Sequence, residues 1–370
     1  MTKAQPEAQE VTKAQPEAQE VTKAQPEAQE VTQAQPEAQE VTQAQPEAQE
    51  LTKARPLDVL CLGEALVDLT PDRRGRLREC ETFQAHSGGA PANVAVGLAR
   101  LGRRTGFHGV LGDDEFGRLL ERKLSAEGID CRFRFTREAP TGMWFISLDE
   151  SGDRSFFTPT GAASADKLIA RADLDNARIT ESAWLHTGSS CHILPAGGEA
   201  LLEALARARA AGTRTSGDPN VRVHLWKNLR DLRTLCQRAF ASCDVVKVSE
   251  DETEQCLGER DPERALAKLL DLGVKLACVT LGARGAIARR GAEVFRVAAP
   301  AVEVVDTTGA GDGFVAGLLS RLAAPGAPTL EAMPADQLEE ALRFACAVGS
   351  RVCTALGAVA ALPRAGEVLL

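Results

Sequence analysis

Residues 244–282 read DVVKVSEDETEQCLGERDPERALAKLLDLGVKLACVTLG, and this stretch decides the fold class. The apolar runs DVVKVSE and LACVTLG are typical of strands buried on both faces. Between them, ERALAKLLDLG has the length and apolar spacing of a helix. A strand, a helix and a second strand in this order predict a βαβ unit, and therefore a mostly parallel sheet.

The same alternation continues on both sides of this stretch, from Leu57 onward. DVLCLGEALVDLTP is apolar enough for a buried strand, and SGGAPANVAVGLARLG predicts a glycine-rich loop followed by a helix that ends at Gly102. Strand-like runs follow at 106–111 and 143–148. SAWLHTGS, EALLEALARARAAG and TRTSGDPN then predict a strand, a helix and a strand end. We therefore expect an α/β fold with a central, mostly parallel sheet flanked by helices.

Two segments do not fit this alternation. Residues 70–84 and 132–160 contain short, charged stretches interrupted by turns, and DRRGR and ESGD are plausible hairpin connections. We predict that they form a small β-sheet that projects from the main sheet as a lid over a ligand site. A lid excludes water, which matters most where hydrolysis competes with group transfer.

The first 50 residues are five copies of a decapeptide, such as VTKAQPEAQE. They hold ten Glu and three Lys, so −7 of the formal charge of −9 lies in the repeats. Each copy has little apolar content, and a proline every ten residues interrupts any long helix. This composition predicts that residues 1–52 are a disordered acidic extension. The alternative is an arm that binds a partner.

The remaining chain is almost balanced in charge, which gives no basic face for nucleic acid and no basic amphipathic segment for a membrane. Ten cysteines occur without a CxxC pair, and five histidines lie in no metal-ligand spacing. There is no signal-peptide pattern and no apolar run of membrane-spanning length. These features predict a cytoplasmic protein with ordinary buried thiols.

Polar and glycine residues cluster after the predicted strands. In an open α/β sheet, ligands bind at the carboxyl ends of the strands, so residues at those ends are expected to converge on one site. The residues in question are Asp68, Gly88, Gly89, Asp218 to Arg222, Ser249 to Glu252 and Gly282.

The stretch DTTGAGDGF, residues 306–314, belongs to this group. It is neither GxxxxGK[ST] nor GxGxxG, which excludes two common nucleotide motifs. It lies between VEVV, predicted to be a strand, and FVAGLLSRLA, predicted to be a helix. Backbone amides of residues 309–312 would therefore point at an anion from a helix N-terminus. Glycine at 309 and 311 allows close approach of the backbone.

Asp312 is the unexpected member of this anion-binding loop. An acid in the first turn of a helix can simply offset the helix dipole. It can also act as a general base that takes a proton from a substrate hydroxyl beside a transferring phosphoryl group. The local sequence allows both interpretations.

DTTGAGDGFVAGLL and SGGAPANVAVGLARLG resemble the two signatures of the PfkB, or ribokinase-like, family of sugar kinases. The resemblance extends from about Leu57 to Leu362, and it defines a kinase domain at 57–364. It implies a ribokinase-like α/β fold with a β lid, ATP·Mg²⁺ as phosphoryl donor and a sugar hydroxyl as acceptor. Many such kinases pair through lid strands, so a homodimer through the lid is also implied.

The resemblance implies specific roles for residues on the acceptor side. Asp312 matches the family's catalytic base. Gly309, Ala310 and Gly311 match the anion hole, and Asp68 matches the acid that holds sugar hydroxyls. The residues matching the sugar-binding loop and the helix after it are Gly88, Gly89 and Asn93.

The resemblance also implies residues on the donor side. KVSEDE, residues 247–252, matches a segment in which Glu252 orients water around Mg²⁺ and Lys247 contributes to ATP binding. VTLGARG, residues 279–285, matches the segment that contacts the ATP phosphates. Its contacts would be Thr280, Gly282 and Gly285. Asp306 and Thr308 match positions that bind a monovalent cation such as K⁺ in some relatives.

The acceptor sugar is suggested by GDPNVRVHLW, which resembles a segment of fructokinases and 2-keto-3-deoxygluconate kinases. Arg222 within it is a candidate contact for a phosphate or an acidic sugar, since guanidinium binds such groups bidentately. Both groups often have a Tyr-Arg pair where this chain has Thr158 to Thr160, and the loss of that arginine favours a neutral, fructose-like sugar. The alternatives are a 2-keto-3-deoxygluconate kinase, a nucleoside kinase and a catalytically silent sugar sensor.

Overall fold

The computed structural model describes residues 57–73, 75–148, 154–160, 163–188 and 195–368. The decapeptide repeats, and with them the predicted disorder of residues 1–52, lie outside the described residues. The described residues belong to one compact unit. No helix in the described part of the chain is both long and apolar enough to cross a membrane.

A large sheet forms the centre of this unit. In the described residues it has nine strands, in the order β13-β12-β11-β10-β9-β8-β1-β4-β5. Pairing is parallel from β5 through to β11, whereas the β11–β12 and β12–β13 pairs at one edge are antiparallel. These strands are β1 (Val59–Leu62), β4 (Thr105–Gly112), β5 (Asp130–Thr136), β8 (Trp184–Gly188), β9 (Arg214–Asp218), β10 (Val245–Ser249), β11 (Leu276–Thr280), β12 (Ala286–Arg290) and β13 (Glu293–Val297).

Helices cover both faces of this sheet, and the strands supply apolar side chains to each face in turn. Along β1, Val59 and Cys61 belong to one apolar cluster, whereas Leu60 and Leu62 belong to the other. This is the burial expected when side chains alternate between two covered faces. The helices are α1 (Ala90–Arg100), α2 (Glu115–Ala126), α3 (Asn176–Glu181), α4 (Pro195–Ala211), α5 (Leu229–Phe240), α6 (Glu250–Leu257), α7 (Pro262–Asp271), α8 (Ala310–Leu322) and α9 (Ala335–Val352).

A second, smaller sheet has the strand order β3-β2-β6-β7 in the described residues. Strands β2 and β3 are antiparallel, β2 and β6 are parallel, and β6 and β7 are antiparallel. The prediction of a separate small sheet is therefore confirmed in outline. Its strands are β2 (Leu66–Pro71), β3 (Phe83–Gly88), β6 (Met143–Leu148) and β7 (Arg154–Phe157).

The predicted boundaries of this small sheet need correction. The prediction for 132–160 is wrong at its start, because β5 pairs with β4 in the large sheet and the small sheet begins again at Met143. For 70–84, the strands lie at the two ends of the segment, and a 3-10 turn at Leu77–Glu79 occupies part of the connection. The predicted turn ESGD, residues 150–153, lies outside the described residues.

Two further strand predictions are wrong. DVLCLGEALVDLTP does not form one strand, because the chain changes direction after β1 and enters the small sheet as β2. VEVV forms no strand: Val302, Val304 and Val305 are exposed, and the amide of Val305 donates to the carbonyl of Cys353. An apolar, β-branched run does not form a strand without a neighbouring strand to pair with.

Candidate active site

The loop before α8 ends at a glycine that caps the helix. Gly309 is the N-cap of α8, with φ of 80°, and a Cβ there would lie 2.5 Å from the Cβ of Ala358. Only glycine satisfies both the left-handed backbone and this close approach. The first amides of α8 lack partners within the helix and present partial positive charge, although the amide of Ala310 donates to the carbonyl of Thr307 at 3.3 Å. The predicted helix N-terminus at this loop is therefore confirmed.

Asp312 lies in the first turn of α8, yet it does not cap that helix through a hydrogen bond. It is buried, and its Oδ2 accepts a hydrogen bond of 2.8 Å from Nδ2 of Asn93 in α1. Burial raises the pKa of Asp312 to about 7, although the bond from Asn93 and the charge of Lys247 act in the opposite direction. A carboxyl group with a pKa near neutrality is well suited to exchange protons with a substrate.

Asp68 on β2 is the second buried carboxyl of the site. Burial raises its pKa to about 7, the charge of Arg222 lowers it, and the charge of Asp312 raises it further. Gly88 on β3 leaves the space that Asp68 occupies, since a Cβ at 88 would lie 2.1 Å from Oδ2 of Asp68. Gly89 caps α1 with φ of 99°, and a Cβ there would lie 2.4 Å from the carbonyl oxygen of Glu64. The two glycines thus fix the position of Asp68 and of α1.

Lys247 on β10 lies beneath the anion-binding loop. Its Nζ is 3.0 Å from Oδ2 of Asp218 on the neighbouring strand β9, and both side chains are buried. A Cβ at Gly311 would come within 2.8 Å of the same Nζ. Burial lowers the pKa of Lys247, but the charges of Asp218 and Glu252 outweigh it and the net pKa is raised. The lysine is therefore charged, and its charge faces the loop.

Glu252 connects two loops at the edge of the site. Its Oε2 accepts from the amide and the hydroxyl of Ser249, at 2.8 and 2.9 Å, which closes a capping box on α6. Its Oε1 accepts from the amide of Val221 at 2.6 Å. Asn220, which immediately precedes Val221, has a left-handed backbone with φ of 38°. Glu252 thus holds the turn after β9 against the start of α6.

A cleft of about 680 Å³ brings most of the predicted residues together. It opens at the carboxyl ends of β10 and β11, under the small sheet, as expected for an open α/β sheet. The predicted residues that line it are Asp68, Gly89, Asn93, Arg222, Lys247, Glu252, Thr280, Gly282, Thr308, Gly309, Gly311 and Asp312.

Four predicted residues do not line this cleft. Gly88 and Ala310 lie just behind it, in β3 and at the start of α8. Gly285 has φ of 91°, and a Cβ there would meet the carbonyl oxygen of Val297 at 2.0 Å, so it allows two chain segments to cross closely. Asp306 is buried and accepts from the amide and hydroxyl of Thr308 and from the amide of Gly357.

Glu64, Trp144 and His224 also line the cleft, and none of the three was predicted from the sequence. Glu64 lies two residues after the end of β1, so its position behind a buried strand was a usable signal. Trp144 is on β6, and a strand with apolar residues on both faces does not reveal which of them points to a ligand. His224 lies two residues after Arg222 in GDPNVRVHLW, a segment in which the arginine alone was predicted to contact a ligand.

Comparisons with known proteins agree with this geometry. The pfkB family carbohydrate kinase model matches residues 56–365. A fructokinase of Klebsiella pneumoniae is 40% identical over 305 residues, which is 82% of this chain and 95% of the relative. A fructokinase of Xylella fastidiosa with bound ATP superposes with a TM-score of 0.76 at 31% identity, covering 84% of this chain and 97% of that one.

A third relative is the fructokinase of Vibrio cholerae O395 in a form bound to fructose, ADP and calcium. It superposes with a TM-score of 0.72 at 34% identity, and the match covers 82% of this chain and 95% of that chain. The predicted ribokinase-like α/β fold is therefore confirmed.

The fold, the cleft and these matches together define a phosphotransferase that acts on an alcohol group. The chain belongs to the pfkB family of carbohydrate kinases. It is an ATP-dependent sugar kinase.

Proposed function

We propose that this sugar kinase phosphorylates fructose and that Asp312 is its general base. The observation that carries the proposal is the pairing of Asp312 with Asn93 beside the first amides of α8. The base then lies next to the donors that would stabilise the transferring phosphoryl group. A base in such a position typically contributes ~10²–10⁴-fold to the rate.

The proposed acceptor site lies between Asp68 and Asp312, the two carboxyl groups whose pKa is raised. Asp68 would accept hydrogen bonds from sugar hydroxyls, while Gly89 and Asn93 border the sugar. Oδ1 of Asn93 is buried and has no hydrogen-bond partner within the described residues. Arg222 contributes positive charge on the opposite wall. Glu64, Asp68 and Asp312 make this end of the cleft acidic, which favours a neutral sugar over 2-keto-3-deoxygluconate.

The proposed donor site is the other end of the cleft. Lys247, Thr280 and Gly282 line it and would contact ATP, while Gly285 shapes the turn that follows β11. The anion hole would consist of the amides from Gly309 to Asp312, including those of Ala310 and Gly311. Because these donors are fixed before the reaction, they stabilise developing charge without reorganisation.

The residues present fit a water-mediated magnesium site. No group of three or more His, Cys, Asp or Glu among the described residues could hold a metal ion on its own. Mg²⁺ commonly takes its ligands from substrate phosphates, waters and one or two carboxylates, and Glu252 at the cleft edge supplies a carboxylate. When bound, the ion would neutralise charge on the phosphates. Asp306 and Thr308 form the turn that we propose for a monovalent cation such as K⁺.

The proton and the phosphoryl group are handled by separate parts of one loop. Asp312 would take the proton from the attacking hydroxyl, and its pKa of about 7 permits this at neutral pH. The amides at the start of α8 and the charge of Lys247 would face the phosphate oxygens. In this arrangement, the small sheet covers the acceptor and keeps water from competing with it.

Two further proposals concern assembly. We propose a homodimer through the small sheet, whose strand β7 ends at Phe157 with 56% of the residue exposed. Size-exclusion chromatography of Phe157→Ser should then show a shift toward monomer. We also propose that residues 57–364 form the kinase domain and that the acidic repeats, residues 1–52, are dispensable for catalysis. A chain that lacks the repeats should keep its kcat and KM.

Coupled ATP turnover with fructose, 2-keto-3-deoxygluconate, ribose and adenosine tests the substrate. We expect the highest kcat/KM with fructose. Preference for the acidic sugar or for adenosine would overturn the fructose assignment, and no turnover with any acceptor would support the alternative of a catalytically silent sugar sensor.

A further inference from the structure

Trp144 is a large side chain in the wall of the proposed acceptor site. In the parallel pairing of β2 and β6, Trp144 is the register partner of Asp68. Residues in register on neighbouring strands lie on the same face of a sheet. Both side chains line the cleft, and both are buried. The indole therefore lies directly beside the carboxyl group that would hold the sugar.

The orientation of Trp144 is set by its neighbours on β6. Phe145, the next residue, points to the opposite face, where its ring lies 5.2 Å from that of Phe83 in an edge-to-face contact. Ile146 returns to the cleft side. A shift of one residue in register would expose this aromatic cluster and remove the indole from the cleft. The packing of Phe145 thus keeps Trp144 on the substrate side.

His224 fixes the indole from the other wall of the cleft. It belongs to the turn after β9, two residues beyond Arg222. Its ring centroid is 5.8 Å from that of Trp144, at an interplanar angle of 77°. Edge-to-face aromatic pairs of this kind are favourable beyond the effect of their buried area. The contact therefore joins the small sheet to the arginine loop and closes the space beside Asp68.

We propose that Trp144 is a specificity-determining residue that limits the acceptor to an unsubstituted monosaccharide. The proposal rests on the proposed function, since it takes Asp68 as the sugar-binding acid. A substituent on the sugar, such as the base of a nucleoside or a second sugar ring, would need the volume that the indole fills. His224 acts as a positioning residue, because it holds the indole there. The indole also gives the monosaccharide an apolar surface, which a shorter side chain would not.

The test compares Trp144→Ala with Trp226→Ala, a matched loss of an indole from the turn after β9, outside the cleft. Steady-state kinetics are measured with fructose, adenosine and sucrose as acceptors. For Trp144→Ala we expect a KM for fructose raised by ~10-fold with kcat little changed. We also expect the ratio of kcat/KM for adenosine to that for fructose to rise at least ~10-fold. Trp226→Ala should leave both the KM for fructose and this ratio unchanged.

A second variant and a binding measurement keep the test decisive. If Trp144→Ala does not fold, Trp144→Leu keeps an apolar strand residue and removes the ring. Calorimetric titration of fructose and adenosine into these variants reports affinity without turnover. His224→Ala should raise the ratio of kcat/KM for adenosine to that for fructose by a smaller factor than Trp144→Ala does.

Two failures can be told apart. If the wild-type enzyme phosphorylates fructose but the ratio shifts by less than ~2-fold in Trp144→Ala and Trp144→Leu, this inference is wrong and the sugar-kinase site stands. An equal loss of kcat for all acceptors would also overturn it, because it indicates a general structural role. If the wild-type enzyme prefers adenosine to fructose, both the inference and the fructose assignment are wrong.

Discussion

The side chain of Asn93 donates to Oδ2 of Asp312 at 2.8 Å, across 219 residues of sequence. This bond joins the helix after the first glycine-rich loop to the helix after the second. It holds the carboxylate at a fixed angle to the amides of α8 and stabilises its ionised form. Asn93 therefore positions the proposed base, in addition to any contact with the sugar.

Asp312→Asn tests the base directly. The amide is similar in size and can still bond to Asn93, but it cannot take a proton from a hydroxyl. We expect kcat to fall by ~10²–10⁴-fold with little change in the KM for ATP. Coupled turnover measures this, and Asp336→Asn, an exposed acid in the first turn of α9, is the control. Turnover within tenfold of wild type would show that Asp312 is not the base.

The pH dependence of kcat/KM should report the ionisation of Asp312 in the free enzyme. Because the base acts in its ionised form, activity should rise with pH and reach half of its maximum near pH 7. Asn93→Leu removes a bond that lowers this pKa, so its profile should move to higher pH. Profiles for wild type and variant across pH 5.5–9 measure the shift. Identical midpoints would contradict the role given to Asn93.

The same pKa predicts an effect on stability. The pKa of Asp312 in the folded protein is about 7, against an ordinary value of 3.8, so the folded state binds this proton more tightly than the unfolded state. The resulting stabilisation is complete below 3.8 and is lost as the pH rises through about 7. At pH 8.5 the ionised carboxylate therefore destabilises the fold, by roughly 4 kcal/mol as an upper bound.

Asp312→Asn removes that penalty. Its free energy of unfolding should exceed that of wild type at pH 8.5, and the advantage should shrink by pH 5.5. Urea titrations at both pH values measure the difference. A variant that is less stable than wild type at pH 8.5 would show that the cost of this buried carboxylate is offset elsewhere.

The large sheet, and the edge of it at which the cleft lies, could be predicted because each depends on short stretches of local sequence. The strand, helix and strand of residues 244–282 are β10, α7 and β11, with α6 added between them. Buried parallel strands need apolar residues on both faces, and such runs are visible in sequence. The polar ends of those strands then predicted a site at one edge, where the cleft lies.

The assignment of strands to the two sheets could not be predicted in the same way. DCRFRFT, residues 130–136, alternates between charged and apolar side chains, which is also the pattern of a half-buried lid strand. It is instead the edge strand of the large sheet, paired with β4. Pairing depends on which backbone lies alongside, and this is decided by the packing of the whole chain. The burial of Trp144 beside Asp68 depends in the same way on the pairing of β6 with β2.

Gly311 and Gly313 lie two residues apart at the start of α8, yet they should respond differently to alanine. A Cβ at 311 would lie 2.8 Å from the Nζ of Lys247, the end of a flexible side chain that can move. A Cβ at 313 would lie 2.8 Å from Cγ2 of Val352, inside the contact of α8 with α9. Gly311→Ala should therefore reduce kcat by ~10-fold or more and leave the melting temperature nearly unchanged.

Gly313→Ala should do the reverse, since overpacking of a helix interface costs ~1–3 kcal/mol. Its melting temperature should fall while kcat per folded molecule is retained. Calorimetric melting and active-site-normalised turnover on both variants separate the two effects. Equal losses of activity and stability in both variants would mean that Gly311 has no special relation to the reacting groups.

The buried pair of Lys247 and Asp218 should cost more to break than an exposed pair. Removal of one partner leaves an uncompensated buried charge, which destabilises a fold by ~3–5 kcal/mol. Lys247→Met and Asp218→Asn should therefore each lower the free energy of unfolding by about that amount. The double variant should lose less free energy of unfolding than the sum of the two single losses. Lys275→Met, which removes partly exposed pairs with Asp244 at 3.1 Å and with Glu331 at 2.8 Å, should cost at most ~1 kcal/mol. Urea unfolding of the four variants measures the coupling, and additive losses would show that the two buried charges do not stabilise each other.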